Sequence, residues 1–108
     1  MTQFNDREKT AENKFSHDKE LEFKATARRN KLLGQWAAGL MGFSGEAVDA
    51  YAREVIESDF IETGDDDVYR KIKGDLAEAG IEQSEHQIRR QMDDLMVVAI
   101  AQVKTEVK

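Results

Sequence analysis

The residues able to do acid–base, nucleophilic or metal chemistry are few and widely spaced in this sequence. The chain has no cysteine and two histidines, His17 and His86, neither within an HExxH motif. A metal site needs converging ligands, so two solvated histidines near helix starts are the simpler interpretation. No P-loop or dinucleotide-binding fingerprint is present. We therefore predict a protein that is not an enzyme and that has no cofactor or metal.

Three consecutive acids, Asp65, Asp66 and Asp67, are the strongest candidates for binding a divalent cation. They lack the alternating acids and the terminal glutamate of a calcium loop. Carboxylates also cap helix N-termini and are stabilised there by the helix dipole. We interpret the three acids as the start of a helix.

A basic cluster, Arg28, Arg29 and Lys31, is the candidate site for an anion such as a nucleotide phosphate. The simpler interpretation is a solvated face whose charges pair with acids elsewhere in the protein. Nucleic-acid binding would need a larger basic surface and stacking aromatics. We favour the solvated face, and weak adenine nucleotide binding stays open.

Residues 1–17 form the one feature that a folded core does not explain. They are polar, with two large apolar side chains, Phe4 and Phe15, too few to offset the entropy of ordering. Yet Phe4, Ala11 and Phe15 share one helical face. From spacing alone a frayed tail and a helix that folds in a partner's groove are equally good interpretations.

Composition fits one small domain with an uneven charge. The 108 residues have a formal charge of −6 and no proline, so long helices are allowed. Residues 1–31 hold eight basic and six acidic side chains, whereas residues 32–108 hold eight and sixteen. The acidic part would repel nucleic acid and anionic membranes. No apolar stretch approaches the roughly 20 residues of a membrane span. We expect a cytoplasmic, monomeric protein that neither binds nucleic acid nor inserts into a membrane.

Apolar residues recur with helical periodicity four times, which predicts an all-α protein. The first helix should span residues 18–41, with Ser16 or Asp18 as its N-cap and Gly42 as the residue that ends it. The second should start at Ser44 or Gly45 and end at Gly64; the third should run from Asp65 to Gly80. The fourth should open with a capping box formed by Ser84 and Gln87. Short loops then favour a four-helix bundle over residues 18–108 with a flexible extension, residues 1–17.

The apolar positions predict which face of each helix is buried. The first stripe is Leu21, Ala25, Leu32, Trp36 and Leu40; the second is Val48, Tyr51, Ala52, Val55, Ile56 and Phe60; the third is Val68, Ile72 and Leu76; the fourth is Ile88, Met92, Leu95, Met96, Ala99 and Val103. Val97, Val98 and Ile100 widen the fourth stripe, so we expect the fourth helix to be the most buried.

Several stretches along nearly the whole chain carry a family resemblance. They are Phe4–Glu8, Glu12–Asp18, Phe23–Ala25, Ala27–Ala38, Ala50–Val55, Asp66–Val68 and Ile88–Met92. The stretch ARRNKLLGQWAA is long and chemically unusual. On these residues the sequence resembles the zeta-subunit family of alphaproteobacterial F-type ATP synthases.

The resemblance implies a four-helix bundle whose mobile N-terminal extension inhibits ATP hydrolysis by inserting between α and β subunits near the rotor. The partner would be the catalytic head of the membrane-bound synthase, with the protein peripheral on it. The residues expected to bind this partner are Phe4, Asp6, Arg7, Glu8, Ala11, Lys14 and Phe15. The alternatives are a nucleotide-sensing module that uses Arg28, Arg29 or Lys31, and an adaptor with no inhibitory action.

Overall fold

Four helices make up the described part of the chain, as the sequence predicts. The computed structural model describes residues 19–59 and 65–106, and within them the chain forms helices and turns but no strand. The helices are α1 (Lys19–Leu40), α2 (Glu46–Ser58), α3 (Asp66–Glu78) and α4 (Glu85–Glu106). The all-α bundle is therefore confirmed. Three predictions concern residues outside the described ranges. They are the flexible extension, the start of the first helix at Ser16 or Asp18, and the roles of Phe60 and Gly64.

Helix α1 is the centre of the bundle and packs mainly against α2 and α4, while α3 contacts the other three helices less extensively. The core lies where these helices meet. Its fully buried members include Leu33, Val55, Ile72, Leu76 and Ile88. Trp36 packs against the edge of this core and is only half-buried.

The local signals for helix ends are confirmed. Gly42 has φ 84°, its N–H donates to the Gly39 carbonyl, and the Phe43 N–H donates to the Ala38 carbonyl. This pair of bonds is the Schellman motif, which ends a helix and favours glycine because of the positive φ. Gly80 ends α3 in the same way.

The predicted capping box also forms. The Ser84 N–H donates to Gln87 Oε1 at 2.8 Å, and the Gln87 N–H donates to Ser84 Oγ at 3.1 Å. Two of the N–H groups that a helix start leaves without partners are thereby satisfied.

The predicted buried face of α1 is wrong in its centre. Ala25 is buried as predicted, but Leu21, Leu32 and Trp36 are only half-buried and Leu40 is exposed. The other buried residues are Arg29, Asn30, Leu33, Gly34, Ala37 and Ala38. The physical reason is the close approach of α2. A Cβ built on Gly34 would lie 2.7 Å from the Ala52 Cα, so α1 turns its smallest residue, and not a leucine, toward α2 at this point. Leu40, 37 % exposed, lies beyond it.

The expectation that α4 is the most buried helix is also wrong. Its inner stripe, Ile88, Met92, Ala99 and Val103, is buried as predicted. However, Val97 is 69 % exposed, and Val98 and Ile100 are exposed as well. In the described part of the chain α4 packs against α1 and α3 but not α2, so its neighbours cover only one side of it.

Candidate functional site

Arg28, the first member of the basic cluster, joins α1 to the end of α4. Its Nη2 donates to both carboxylate oxygens of Glu106, at 2.8 and 2.6 Å, and its Nη1 donates to Gln102 Oε1 at 2.7 Å. Glu106 is half-exposed, so water screens the ion pair and its energetic contribution is small. The arginine is thus engaged within its own chain.

Arg29 is buried and joins α1 to the start of α3. Only 2 % of it is exposed. Its Nε donates to Asn30 Oδ1 at 2.7 Å and its Nη2 donates to Asp65 Oδ1 at 2.9 Å. Asn30, which is buried too, donates from Nδ2 to Asp59 Oδ2 at 3.0 Å. Asp59 and Asp65 flank the connection between α2 and α3. Arg29 and Asn30, which are neighbours in α1, therefore bind the two ends of this connection.

The basic cluster therefore does not converge on one point. Arg28 reaches the C-terminal end of α4, Arg29 reaches the N-terminal end of α3, and Lys31 is exposed to solvent. The expected pairing with acids is confirmed for the two arginines, whereas the expected solvation is wrong for Arg29. A nucleotide contact at Arg28, Arg29 and Lys31 stays a prediction, and a phosphate would have to displace Glu106 or Asp65 to reach either arginine.

The three acids lie at the start of α3, as predicted, and each of them pairs with an arginine. Asp65 makes no side-chain cap hydrogen bond, so the predicted capping role is wrong for this residue. Asp66 accepts from Arg89 at 3.0 Å, and Asp67 accepts from Arg70 at 2.6 Å. The Arg89 guanidinium also lies 4.3 Å from the centre of the Tyr69 ring. Asp65 and Asp66 thereby tie α3 to α1 and α4, whereas the pair of Asp67 and Arg70 lies within α3.

A polar group between α2 and α3 was not foreseen from the sequence. Tyr51 donates its hydroxyl hydrogen to Asp75 Oδ2 at 2.7 Å, and Lys71 Nζ donates to Asp75 Oδ2 at 3.0 Å and to Glu54 Oε1 at 3.1 Å. Burial, the bond to Asp75 and nearby negative charge raise the pKa of Tyr51. Burial lowers the pKa of Lys71, but its bonds to Asp75 and Glu54 outweigh this and raise that pKa overall.

The residues expected to bind the ATP synthase, Phe4, Asp6, Arg7, Glu8, Ala11, Lys14 and Phe15, lie outside the described residues. The structure gives the element that follows them. Helix α1 begins at Lys19 and continues for 22 residues, which is about 33 Å at 1.5 Å per residue. Near its start, Phe23 is 61 % exposed and borders a small groove of about 90 Å³ together with Thr26, Ala27 and Asn30 of α1 and with Ile56 and Asp59 of α2.

These features define a small helical bundle whose buried polar side chains tie its helices together. Among the described helices none is long and apolar enough to cross a bilayer. The chain belongs to the ATPase inhibitor subunit zeta family, whose model matches residues 1–102.

A comparison with solved structures supports the same fold. A structure described as "Solution NMR structure of the protein" is similar to this chain, with 46% sequence identity and a TM-score of 0.71. The match covers 80% of this chain and 98% of the other. No curated protein sequence matches. The family name associates the protein with an ATPase as its inhibitor subunit.

Proposed function

We propose that this protein is a non-catalytic regulator that inhibits ATP hydrolysis by an F-type ATP synthase. Residues 1–17 fold as a helix in a catalytic interface between α and β subunits near the rotor, and the bundle stays outside. The observation that carries the proposal is the extent of the family match. It begins at residue 1 and so includes the whole segment that precedes α1.

The chemistry of residues 1–17 supports a role inside a groove. Phe4, Ala11 and Phe15 recur at seven and four residues, so in a helix they form one apolar face. Arg7, Glu8 and Lys14 would pair with charges of the interface, which sets the register of the helix and speeds the encounter. Ordering this segment costs entropy, so we expect it to fold only where contacts with a partner add to the burial of the two phenylalanines.

The free energy that inhibition requires can be compared with what burial of the two phenylalanines supplies. During rotary hydrolysis each catalytic interface must open and close in turn, and a ligand that binds one state better shifts the population toward it. Moving a two-state equilibrium from 1:99 to 99:1 takes about 5.5 kcal/mol of differential binding. Fully burying two phenylalanine side chains contributes roughly 3–6 kcal/mol. Ordering the segment consumes part of this free energy, so charge pairs and further contacts with the interface must supply the remainder.

The anchoring of α1 supports a rigid mounting for this helix. α1 follows the inhibitory segment directly, and it is tied to α4 through Arg28 and to the α2–α3 connection through Arg29 and Asn30. It also approaches α2 closely at Gly34, where an added Cβ would lie 2.7 Å from the Ala52 Cα. A force on the inserted segment is thus transmitted to the whole bundle. The bundle stays outside the interface, and the protein is peripheral on the cytoplasmic head of the synthase.

The test is ATP hydrolysis by the isolated cognate catalytic head, with the full chain and with a chain that lacks residues 1–17. We expect the full chain to inhibit and the shortened chain to leave hydrolysis unchanged. Helix content and thermal unfolding of the shortened chain check that its bundle is intact. Equal inhibition by the two chains would contradict the insertion of residues 1–17.

A further inference from the structure

An apolar groove with an acidic rim lies at the end of the bundle where α1 and α3 terminate. We call it the aromatic notch, and it is formed by Met41, Phe43, Tyr51, Glu54, Asp75 and Glu78. Its volume is about 380 Å³, within the range of sites that accept a small ligand or a large side chain. No residue of the basic cluster of α1 contributes to it.

The backbone fixes Phe43 in an exposed position. Phe43 follows Gly42 in the Schellman motif, and its N–H donates to the Ala38 carbonyl at 2.9 Å. Its ring packs edge-on against Tyr51, with the ring centres 6.0 Å apart and the planes at 79°. Nevertheless, 41 % of Phe43 is exposed. A large aromatic ring held in place with much of its surface in water is a feature of interaction sites.

The charge around this ring is negative. Three carboxylates, from Glu54, Asp75 and Glu78, face one ammonium group, from Lys71. Lys71 bonds to Glu54 and Asp75, which leaves Glu78 with no ion pair among the described residues. Helices α1 and α3 both end here, and neither has a basic residue in its last turn. Their negative dipole ends therefore add to the acidic potential.

A cation already uses one side of the aromatic pair. Lys71 Nζ lies 5.2 Å from the centre of the Tyr51 ring, within the range of a cation–π interaction. The exposed surface of Phe43 offers the same kind of contact to a cation from outside. The apolar wall formed by Met41 and Phe43 suits a methylene stem, and Glu78 at the rim suits a positive head group.

We propose that the aromatic notch binds an arginine or lysine side chain of a protein partner, and that the partner is the catalytic head of the ATP synthase. The identity of the partner rests on the proposed function; the cationic chemistry rests on the notch itself. The notch is then a second contact that holds the bundle on the outside of the head. Linking two contacts in one chain raises the overall affinity above that of either alone.

The first experiment tests the chemistry without the synthase. Backbone amide shifts of the full chain are recorded by NMR during titration with N-acetyl-L-arginine amide, and with N-acetyl-L-glutamine amide as a neutral control. We expect saturable shifts at Phe43, Tyr51 and Glu78 with the arginine compound alone. Shifts spread evenly over the acidic surface, or equal shifts with the glutamine compound, would overturn the proposed cation site.

The second experiment tests the partner. Binding of the full chain to the isolated cognate head is compared for the wild type, Glu78→Lys and, as a matched charge reversal on the exposed side of α4, Asp94→Lys. We expect Glu78→Lys to weaken binding about tenfold and to flatten its salt dependence, with Asp94→Lys close to the wild type. Equal binding by the wild type and Glu78→Lys would exclude the head as the partner of the notch.

The two proposals fail in different ways. If the arginine compound binds at the notch but the wild-type chain does not inhibit the head, the proposed function fails and the cation site stands. If the chain inhibits but the arginine compound causes no localised shifts, the cation site fails and the inhibitory function stands.

Discussion

The Arg29 guanidinium, which is almost fully buried, lies 2.9 Å from the carboxylate of Asp65. The two residues are 36 positions apart, and the bond joins the middle of α1 to the start of α3. Asp65 is 51 % exposed, so the attraction itself is partly screened by water. Replacing Arg29 is costly for two other reasons. Its side chain is almost fully buried, and its Nε donates the hydrogen bond that the Oδ1 of buried Asn30 accepts.

Replacing Arg29 should therefore destabilise the fold strongly. We expect Arg29→Ala to lower the free energy of unfolding by about 3 kcal/mol, because it leaves a cavity and removes the donor to buried Asn30. Lys31→Ala, two residues away on the exposed surface, should change it by less than about 0.5 kcal/mol. Urea unfolding followed by circular dichroism measures both values, and similar losses for the two variants would contradict the structural role of Arg29.

Gly34 should tolerate no larger side chain. We expect Gly34→Ala to destabilise the protein by about 1–3 kcal/mol, because the new Cβ would meet the Ala52 backbone at 2.7 Å. Gly74 also lies inside a helix, α3, but nothing is within 4 Å of a Cβ there. Gly74→Ala should stabilise by about 0.5–1 kcal/mol through helix propensity. Thermal unfolding of the two variants should give shifts of opposite sign, and shifts of the same sign would refute the close contact of α1 with α2.

The capping box at the start of α4 should contribute measurably. Ser84→Ala removes the acceptor of the Gln87 N–H, and we expect a loss of about 1 kcal/mol. For a domain of this size that corresponds to a fall in Tm of about 4–8 °C. Ser44→Ala is a suitable control, because the N-cap of α2 is Gly45 and no side chain makes a cap hydrogen bond there. If both serine variants melt at the same temperature, the box contributes nothing.

Stability should fall in alkaline solution. The pKa values of Tyr51 and Lys71 are both raised in the folded state, so this state keeps protons that the unfolded chain releases above about pH 10. The stability linked to these protons is present below that pH and is lost as the pH rises. Tyr51→Phe should lower the free energy of unfolding at pH 8, because it removes the hydrogen bond to Asp75. It also removes the contribution of the tyrosine hydroxyl to the decrease of this free energy with rising pH. The free energy of unfolding between pH 9.5 and 11.5 should thus fall less steeply for Tyr51→Phe, and an unchanged slope would rule out the contribution of Tyr51.

Features set by neighbouring residues were predictable from the sequence. The Ser84–Gln87 box, the ends at Gly42 and Gly80 and the stripe of Val68, Ile72 and Leu76 each depend on a few adjacent positions. Helical periodicity and short loops then sufficed for the four-helix architecture.

Features set by helix packing were not predictable in the same way. The buried face of α1 depends on how closely α2 approaches Gly34, and the exposure of Val97 depends on which helices cover α4. The burial of Arg29 depends on Asp65, and the aromatic notch brings together α2, α3 and the turn that follows α1. These features depend on contacts between helices, which the spacing of residues along one helix does not encode.

The most direct test of the central claim concerns the apolar face of the inhibitory segment. ATP hydrolysis by the isolated cognate head is measured with a Phe4→Ala and Phe15→Ala double variant, and with Gln3→Ala and Thr10→Ala, which lie off that helical face, as the matched control. The control should inhibit as the wild type does, whereas loss of the two phenylalanines should abolish inhibition and leave the melting temperature of the bundle unchanged. Full inhibition by the double phenylalanine variant would show that this segment does not act by burying an apolar face in the catalytic interface.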